Sequence, residues 1–302
     1  MEALAASAAM DAAGRLGVFD QLAAGPATPA ALARDCAIGE RGAALLLAAL
    51  ASLGLTDVTS DGAYRLTLAN PARLPAWFAS LAHVIRDDLP PLAANTPEGA
   101  QTLYPDAVSF LGTLFDSAAQ QAAEHLSAPG LRVLDVGAGA APWSLALAAR
   151  DPACRVRAVD LPAVLPATRR AVEAAGLTQQ FEYLSGDFFH VDWGQCDYDL
   201  VILGNVCHLF GEGANKQLLA RLFEALRPGG KLAIIDALPN EQMDGPRPVA
   251  LYALGLMLRT ETGRVYPFST YVSWLRETGF AAVERIDLSA PPMLSLVIAK
   301  RS

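Results

Sequence analysis

The chain has 302 residues, 53% of them hydrophobic and 18% charged, with a net charge of −8. That length suits one large domain or two ordinary ones with ample core, and the composition excludes a disordered chain. The acidic balance argues against nucleic acid as a partner, because phosphate binding needs a basic face.

The N-terminus, "MEALAASAAMDAAGRLG", carries Glu2 and no basic n-region, so no secretory signal is expected. The longest uncharged apolar run, Gly42 to Leu55, is 14 residues. A bilayer span takes roughly 20, so the run reads as a buried helix and no membrane partner is expected. Cys36, Cys154, Cys196 and Cys207 are scattered, without a CxxC pair or histidines at zinc-ligand spacing. Reduced thiols in a cytoplasmic protein, and no metal, are the expectation.

Residues 1–70 read as helices followed by a hairpin. In "ERGAALLLAALASLGL", Leu46, Leu47, Leu50 and Leu53 fall near helical spacing. "LTDVTSDGAYRLT" reads as two short strands around Ser60-Asp61-Gly62. Helices plus a hairpin suggest a winged-helix unit. Its four basic and seven acidic residues leave a balance of −3, which fits an association surface better than a DNA reader. Residues 71–130 form a helical connector with the aromatics Trp77, Tyr104, Phe110 and Phe115.

From Leu131 the pattern alternates. "RVLDVGAG", "RVRAVDL", "FEYLSGDFF", "YDLVILGNV" and "KLAIIDAL" read as strands. Helical text such as "PWSLALAARD" and "NKQLLARLFEALRPGG" lies between them, and the tail adds a helix and two strands. The alternation predicts an α/β domain over 131–302 with a largely parallel sheet.

"VLDVGAGAA" sets Gly137 and Gly139 after a strand and before a helix, as in dinucleotide folds. Asp135 sits inside that strand, where a carboxylate can hold an amine. Asp160 ends the next strand, 23 residues after Gly137, near the offset at which an acid takes ribose hydroxyls; a helix N-cap is its structural alternative. A nicotinamide dinucleotide and S-adenosylmethionine (SAM) both fit these features. The diphosphate form needs the full G-x-G-x-x-G, and its sixth position is Pro142. Asp187 and Phe188 in "SGDFF" supply an acceptor and an aromatic face for adenine. SAM is therefore the expected cofactor.

Carried by "LDVGAG", "VDLPAV", "GDFF", "CHLF" and "RPGGKLAIID" in order, the whole chain resembles the class I SAM-dependent O-methyltransferases with an N-terminal winged-helix dimerisation domain. Plant caffeate-type and bacterial natural-product tailoring enzymes form that group. The resemblance implies a Rossmann-like SAM domain, a homodimer and secondary metabolism. It implies cofactor contacts at Gly137, Asp160, Asp187 and Phe188. Asp135, Gly139, Leu161, Gly204 and Asn205 complete the expected set.

His208, directly after the fourth strand, stands where parallel sheets bind ligands. Near its ordinary pKa it can take a hydroxyl proton, and the resemblance implies a general base there. A satisfied, partly buried histidine is the structural alternative. His83, His125 and His190 lack such placement. Family members carry Asp after this histidine, where the chain has Leu209, and plant members often have Lys where it has Gly204. Asp236 corresponds to one orienting acid. The other falls near Val265, with Glu261 close by.

For a flat, apolar acceptor, the candidate pocket residues are Tyr104, Phe110, Phe115, Trp143, Tyr252, Met257 and Phe268. The sequence thus points to methyl transfer to a small aromatic or polyketide-like hydroxyl. Two alternatives stand beside it: a C- or N-methylating or non-methylating relative on the same SAM fold, and a winged-helix regulator with a ligand-sensing domain.

Overall fold

The computed structural model describes residues 2–67, 81–87, 89–90, 92–289 and 293–302. Trp77, and the side chains of His83 and Phe110, lie outside the described residues. The chain divides into two compact units, residues 1–86 and 87–302.

In the first unit, α1 (Glu2–Arg15), α2 (Val18–Ala24), α3 (Pro29–Asp35) and α4 (Glu40–Ser52) precede the antiparallel hairpin β1 (Thr56–Val58) and β2 (Tyr64–Leu66). Thr28 starts α3: its Oγ1 accepts the Ala31 N–H at 3.2 Å, and Pro29 takes the first turn, where no donor is needed. The stripe read in α4 splits. Leu47 and Leu50 are fully buried with Phe19, Leu22 and Leu32, Leu46 is half-buried and Leu53 faces solvent; Leu45, outside that stripe, is exposed as well. A short helix, α5 (Leu81–Asp87), follows.

The second unit begins with α6 (Pro97–Leu126), capped by Thr96, whose Oγ1 accepts the Gly99 N–H at 3.2 Å. Alternation then gives β3 (Arg132–Val136), α7 (Pro142–Ala148), β4 (Arg155–Asp160), α8 (Leu165–Ala174), β5 (Phe181–Ser185) and β6 (Tyr198–Gly204). After these come α9 (Glu212–Ala225), β7 (Leu226–Ala237), α10 (Arg247–Leu256), α11 (Phe268–Thr278), β8 (Phe280–Asp287) and β9 (Leu294–Arg301). The sheet order is β5-β4-β3-β6-β7-β9-β8, parallel except for β9, which runs antiparallel to both neighbours. All seven residues of β6 are buried, as a strand covered on both faces requires. One apolar cluster fills each face, with Ile202 and Ile235 in one and Val201 and Ile234 in the other.

The text "FEALRPGG" departs from its helical reading. α9 stops at Ala225, and Leu226 already pairs with Tyr198 as the start of β7. Pro228 lacks an N–H and pushes Arg227 out of the helical region, so the helix ends before them. The strand order reverses between β4 and β6 on either side of β3, which opens a crevice beyond their carboxyl ends. Among the described residues no helix is long and apolar enough to cross a membrane.

Candidate active site

The glycine turn is built by hydrogen bonds between β3 and β4. Gly137 and Ala138 donate to the Val159 carbonyl at 2.9 and 3.2 Å. Gly139 donates to Asp160 Oδ2, and Leu161 N–H to Asp160 Oδ1, both at 2.7 Å. Gly137 (φ +68°) and Gly139 (φ +57°) sit in the left-handed region, and a Cβ on Gly137 would meet Val206 Cγ2 at 2.8 Å. Asp160 thus holds the turn while each oxygen keeps a further lone pair. Burial pushes its carboxyl up to about 6, against the pull of those two backbone donors.

A cleft enclosing about 1090 Å³, open to solvent, lies over this turn. Gly137, Gly139, Asp160, Leu161, Asp187 and Phe188 all line it, as do Gly204 and Asn205. Asp187 is held in place by the Phe189 N–H at 2.8 Å and by His190 Nδ1 at 2.9 Å, a pair the sequence reading had left aside. Arg221 on α9 donates to the carbonyls of Phe188 and Val191, fixing the loop that carries the aromatic face. Asn205 adopts φ +59°, and its buried Oδ1 has no partner.

One of the residues expected at the cofactor, Asp135, lies off the cleft lining, and Gly204 on the lining has a packing role as well. Asp135 does not line the cleft: it is 1% exposed, and its Oδ2 accepts Ser144 Oγ at 2.5 Å beneath the turn. Burial first, then the nearby Asp160 charge, raise its carboxyl to about 7 against the Ser144 bond. Gly204 borders the cleft, but its missing Cβ makes room for Trp143, whose Nε1 would lie 2.2 Å away. Gly204 is needed there for packing.

Of the acceptor candidates, Tyr104, Phe115 and Trp143 line the cleft, with Phe115 stacked on Trp143 at 5.7 Å. Tyr252, Met257 and Phe268 do not. Phe268 packs instead on the core beneath α11. Phe189 and Phe210, which the sequence reading missed, complete an aromatic wall with Phe188 at centroid distances of 5.0–5.8 Å.

His208 lies in a turn after β6, 3% exposed, between cleft-lining Val206 and Leu209. Asp236, at the end of β7, meets it twice: Oδ1 faces Nδ1 at 2.6 Å and Oδ2 accepts the His208 N–H at 3.0 Å. Ala237 N–H and Tyr271 Oη add donors at 2.8 and 3.3 Å. A carboxylate so surrounded makes Nδ1 the protonated nitrogen and leaves the Nε2 lone pair free to accept. Tyr252 Oη lies on Nε2 at 2.8 Å, and Arg259 Nη2 donates to that phenol at 2.7 Å. The chain of donors runs Arg259 to Tyr252 to His208 to Asp236. Both ring nitrogens are therefore taken, and Glu261 holds neither. Glu261 is exposed, with its backbone N–H on Asn95 Oδ1 at 3.0 Å. Burial raises the Tyr252 hydroxyl to about 12, against the Arg259 charge.

Comparison with known proteins agrees with this geometry. Residues 102–281 match the O-methyltransferase domain, and residues 1–71 match the O-methyltransferase dimerisation domain. The 3-hydroxy-5-methyl-1-naphthoate 3-O-methyltransferase of Streptomyces sahachiroi is 29% identical, over 91% of this chain and 86% of its own. The tetracenomycin polyketide synthesis 8-O-methyl transferase TcmO of Streptomyces glaucescens is 26% identical, over 96% and 92%. A crystal structure from Nostoc punctiforme assigned as an O-methyltransferase superposes with a TM-score of 0.76 at 25% identity, covering 99% and 96%. Human N-acetylserotonin methyltransferase in complex with SAM gives 0.70 at 24%, covering 98% and 94%. The chain belongs to the SAM-dependent O-methyltransferase family. It is a methyltransferase, SAM is its cofactor, and it carries the family's dimerisation domain.

Proposed function

We propose that the chain methylates a hydroxyl of a small aromatic or polyketide-like acceptor, with His208 as general base. The observation that carries this reading is the phenol of Tyr252 on His208 Nε2 at 2.8 Å, opposite a carboxylate on Nδ1. A nitrogen poised to accept from one phenol can accept the proton of another. When bound, SAM supplies a sulfonium-activated methyl group. Asp160 would hold the ribose hydroxyls, Asp187 and Phe188 the adenine, and the Gly137–Gly139 turn would admit its close approach. Asp236 keeps His208 in one tautomer and stabilises the imidazolium that forms as the hydroxyl proton arrives at Nε2.

The aromatic lining from Tyr104, Phe115 and Trp143 suits a flat acceptor. Two copies pair through residues 1–71, with the exposed Leu45 and Leu53 as apolar surface for the contact. The four unpaired cysteines suit a reducing cytoplasm.

The first test is calorimetric titration of SAM and S-adenosylhomocysteine (SAH), with NAD as control, followed by a phenol screen with wild type and His208→Ala. Micromolar SAM binding and methylation abolished in His208→Ala are expected. Methylation of the phenol that survives His208→Ala would overturn the general-base role of His208. Well-folded protein that binds no SAM would overturn the cofactor assignments.

A further inference from the structure

Beside the base lies a group of polar atoms that the transfer reaction does not use. Arg259 follows α10, and its carbonyl accepts the Ala94 N–H at 2.6 Å. Two residues on, the same segment is tied to Asn95, which takes the Glu261 N–H and donates to Thr262 Oγ1. Ala94 and Asn95 line the cleft, and Arg259, bonded to Ala94 through its carbonyl, stands with Tyr252 behind that lining. Its guanidinium lies 5.1 Å from the Tyr252 ring centroid, and Nη2 donates to the phenol that sits on His208. The cation is therefore two hydrogen bonds from the base.

Arg259 has no carboxylate partner among the described residues, and its Nε is buried without an acceptor. Two buried acids around the cleft and the base, Asp236 and Asp160, are already engaged. Asp236 accepts from His208, Ala237 and Tyr271, and Asp160 from two backbone donors. Tyr104 lines the cleft, and its hydroxyl is likewise buried with no partner. Burial raises that hydroxyl strongly, and Arg259 is near enough for its charge to oppose the rise. A half-buried guanidinium without an anion, next to an unpartnered phenol, is costly unless something brings the missing acceptors. A neutral ligand oxygen would satisfy a donor and leave the charge unmet. A carboxylate matches both the charge and the forked geometry.

We propose that Arg259, with Tyr104 and Tyr252, forms an anion subsite of the acceptor pocket, and that the acceptor bears a carboxylate ortho or peri to the hydroxyl that is methylated. The position follows from the two-bond separation of the guanidinium from the base. This inference rests on the reading of the cleft as a SAM and acceptor site. If Arg259 served only to hold Tyr252, acceptor charge would make no difference.

The experiment measures binding of 3-hydroxy-2-naphthoate and of its neutral amide, 3-hydroxy-2-naphthamide, to the SAH-loaded full chain. Methyl transfer from SAM to each is followed in parallel. A charge-assisted contact of this kind gives a preference of about 10- to 100-fold for the carboxylate. Arg259→Gln brings that preference within about threefold, Arg259→Lys keeps part of it, and Tyr104→Phe lowers it several-fold. A merely structural loss moves both ligands together and leaves their ratio intact. Equal affinity for the two, binding of neither, or a preference that survives Arg259→Gln overturns the proposal. If Arg259→Gln does not fold, the lysine and Tyr104→Phe variants decide by the same ratio. SAH affinity is measured separately, so failure to bind SAH counts against the cofactor reading and leaves the subsite to be judged on naphthoate binding alone.

Discussion

Asp135 offers a pH signature that follows from its burial. Its carboxyl sits fully enclosed under the glycine turn, with one oxygen on Ser144 and the other without a partner. Burial raises it from the ordinary 3.8 to about 7 in the folded protein. The folded state therefore binds a proton that the unfolded chain has already released, so stability is greatest below the ordinary value. It declines as pH rises through about 7. With a slope approaching 1.36 kcal/mol per pH unit that fades near 7, the interval from pH 5 to 7 accounts for roughly 2.3 kcal/mol. Asp135→Asn removes the titration. The amide leaves a donor where Oδ1 now has no partner, at a cost of about 1–3 kcal/mol, but that cost is the same at every pH. Urea titrations at pH 5, 6, 7 and 8, at one protein concentration and followed by tryptophan fluorescence, should show wild type losing about 2–3 kcal/mol more than the variant. Asp160 titrates in both proteins, and because its charge acts on Asp135 the difference between the curves reports Asp135 together with that coupling. Parallel profiles, within about 0.5 kcal/mol across that range, would falsify the claim that Asp135 is buried as an acid.

Asp160→Ala should weaken SAM binding about 100-fold or more, from two charge-assisted bonds to ribose and a loosened turn. In wild type the raised carboxyl makes SAM affinity fall by up to about tenfold per pH unit below pH 6, read by titration calorimetry. Asp236→Asn should lower kcat by about 10²–10⁴-fold, because an amide can donate to Nδ1 and stabilise the wrong tautomer. SAH affinity should stay close to that of wild type, since Asp236 does not border the cleft. Leu45→Asp places a charge at an exposed leucine of the dimerisation domain, 62% accessible in the single chain. Light scattering should show a shift from dimer toward monomer, and an unchanged dimer would place the interface elsewhere.

The elements that sequence reading located best are those whose constraint is local. The two glycines after β3 and the acid ending β4 follow from backbone conformation and strand offset, and the structure sets all three on the cleft. The continuous apolar run of β6 fixes a central strand, which in turn fixes where His208 emerges. What could not be read depends on contacts distant in sequence. Tyr252 reaches His208 across 44 positions, from a helix whose orientation is set by the segment after β7. Its aromatic character suggested pocket lining, while its hydroxyl chemistry, invisible without the partner, makes it a ligand of the base. Glu261 was nominated by proximity in sequence to Val265, and a solvent-facing turn removed it. Asp135 shows the same limit from the other side: a carboxylate inside a strand faces whatever lies above it, here Ser144 of α7, and spacing alone cannot say whether that is ligand or helix.

The distribution of satisfied and unsatisfied polar groups separates scaffold from site. Around the base Asp236 takes four donors, and Asn215 Nδ2 ties the carbonyls of Cys207 and Phe210 on either side of His208. Gly263 packs so closely on the His208 carbonyl that a Cβ there would lie 2.5 Å from it. That side is organised before any ligand arrives, as a base that must present one tautomer requires. Across the wall the balance reverses. Asn205 Oδ1, Tyr104 Oη and Arg259 Nε are buried without partners at the cleft or directly behind it. Buried polar atoms are costly to leave unmet, so where they gather beside a cavity the missing partners are the ligand's to supply. Asp236, which positions the base, has its oxygens fully engaged, whereas the residues proposed to select the acceptor hold theirs open.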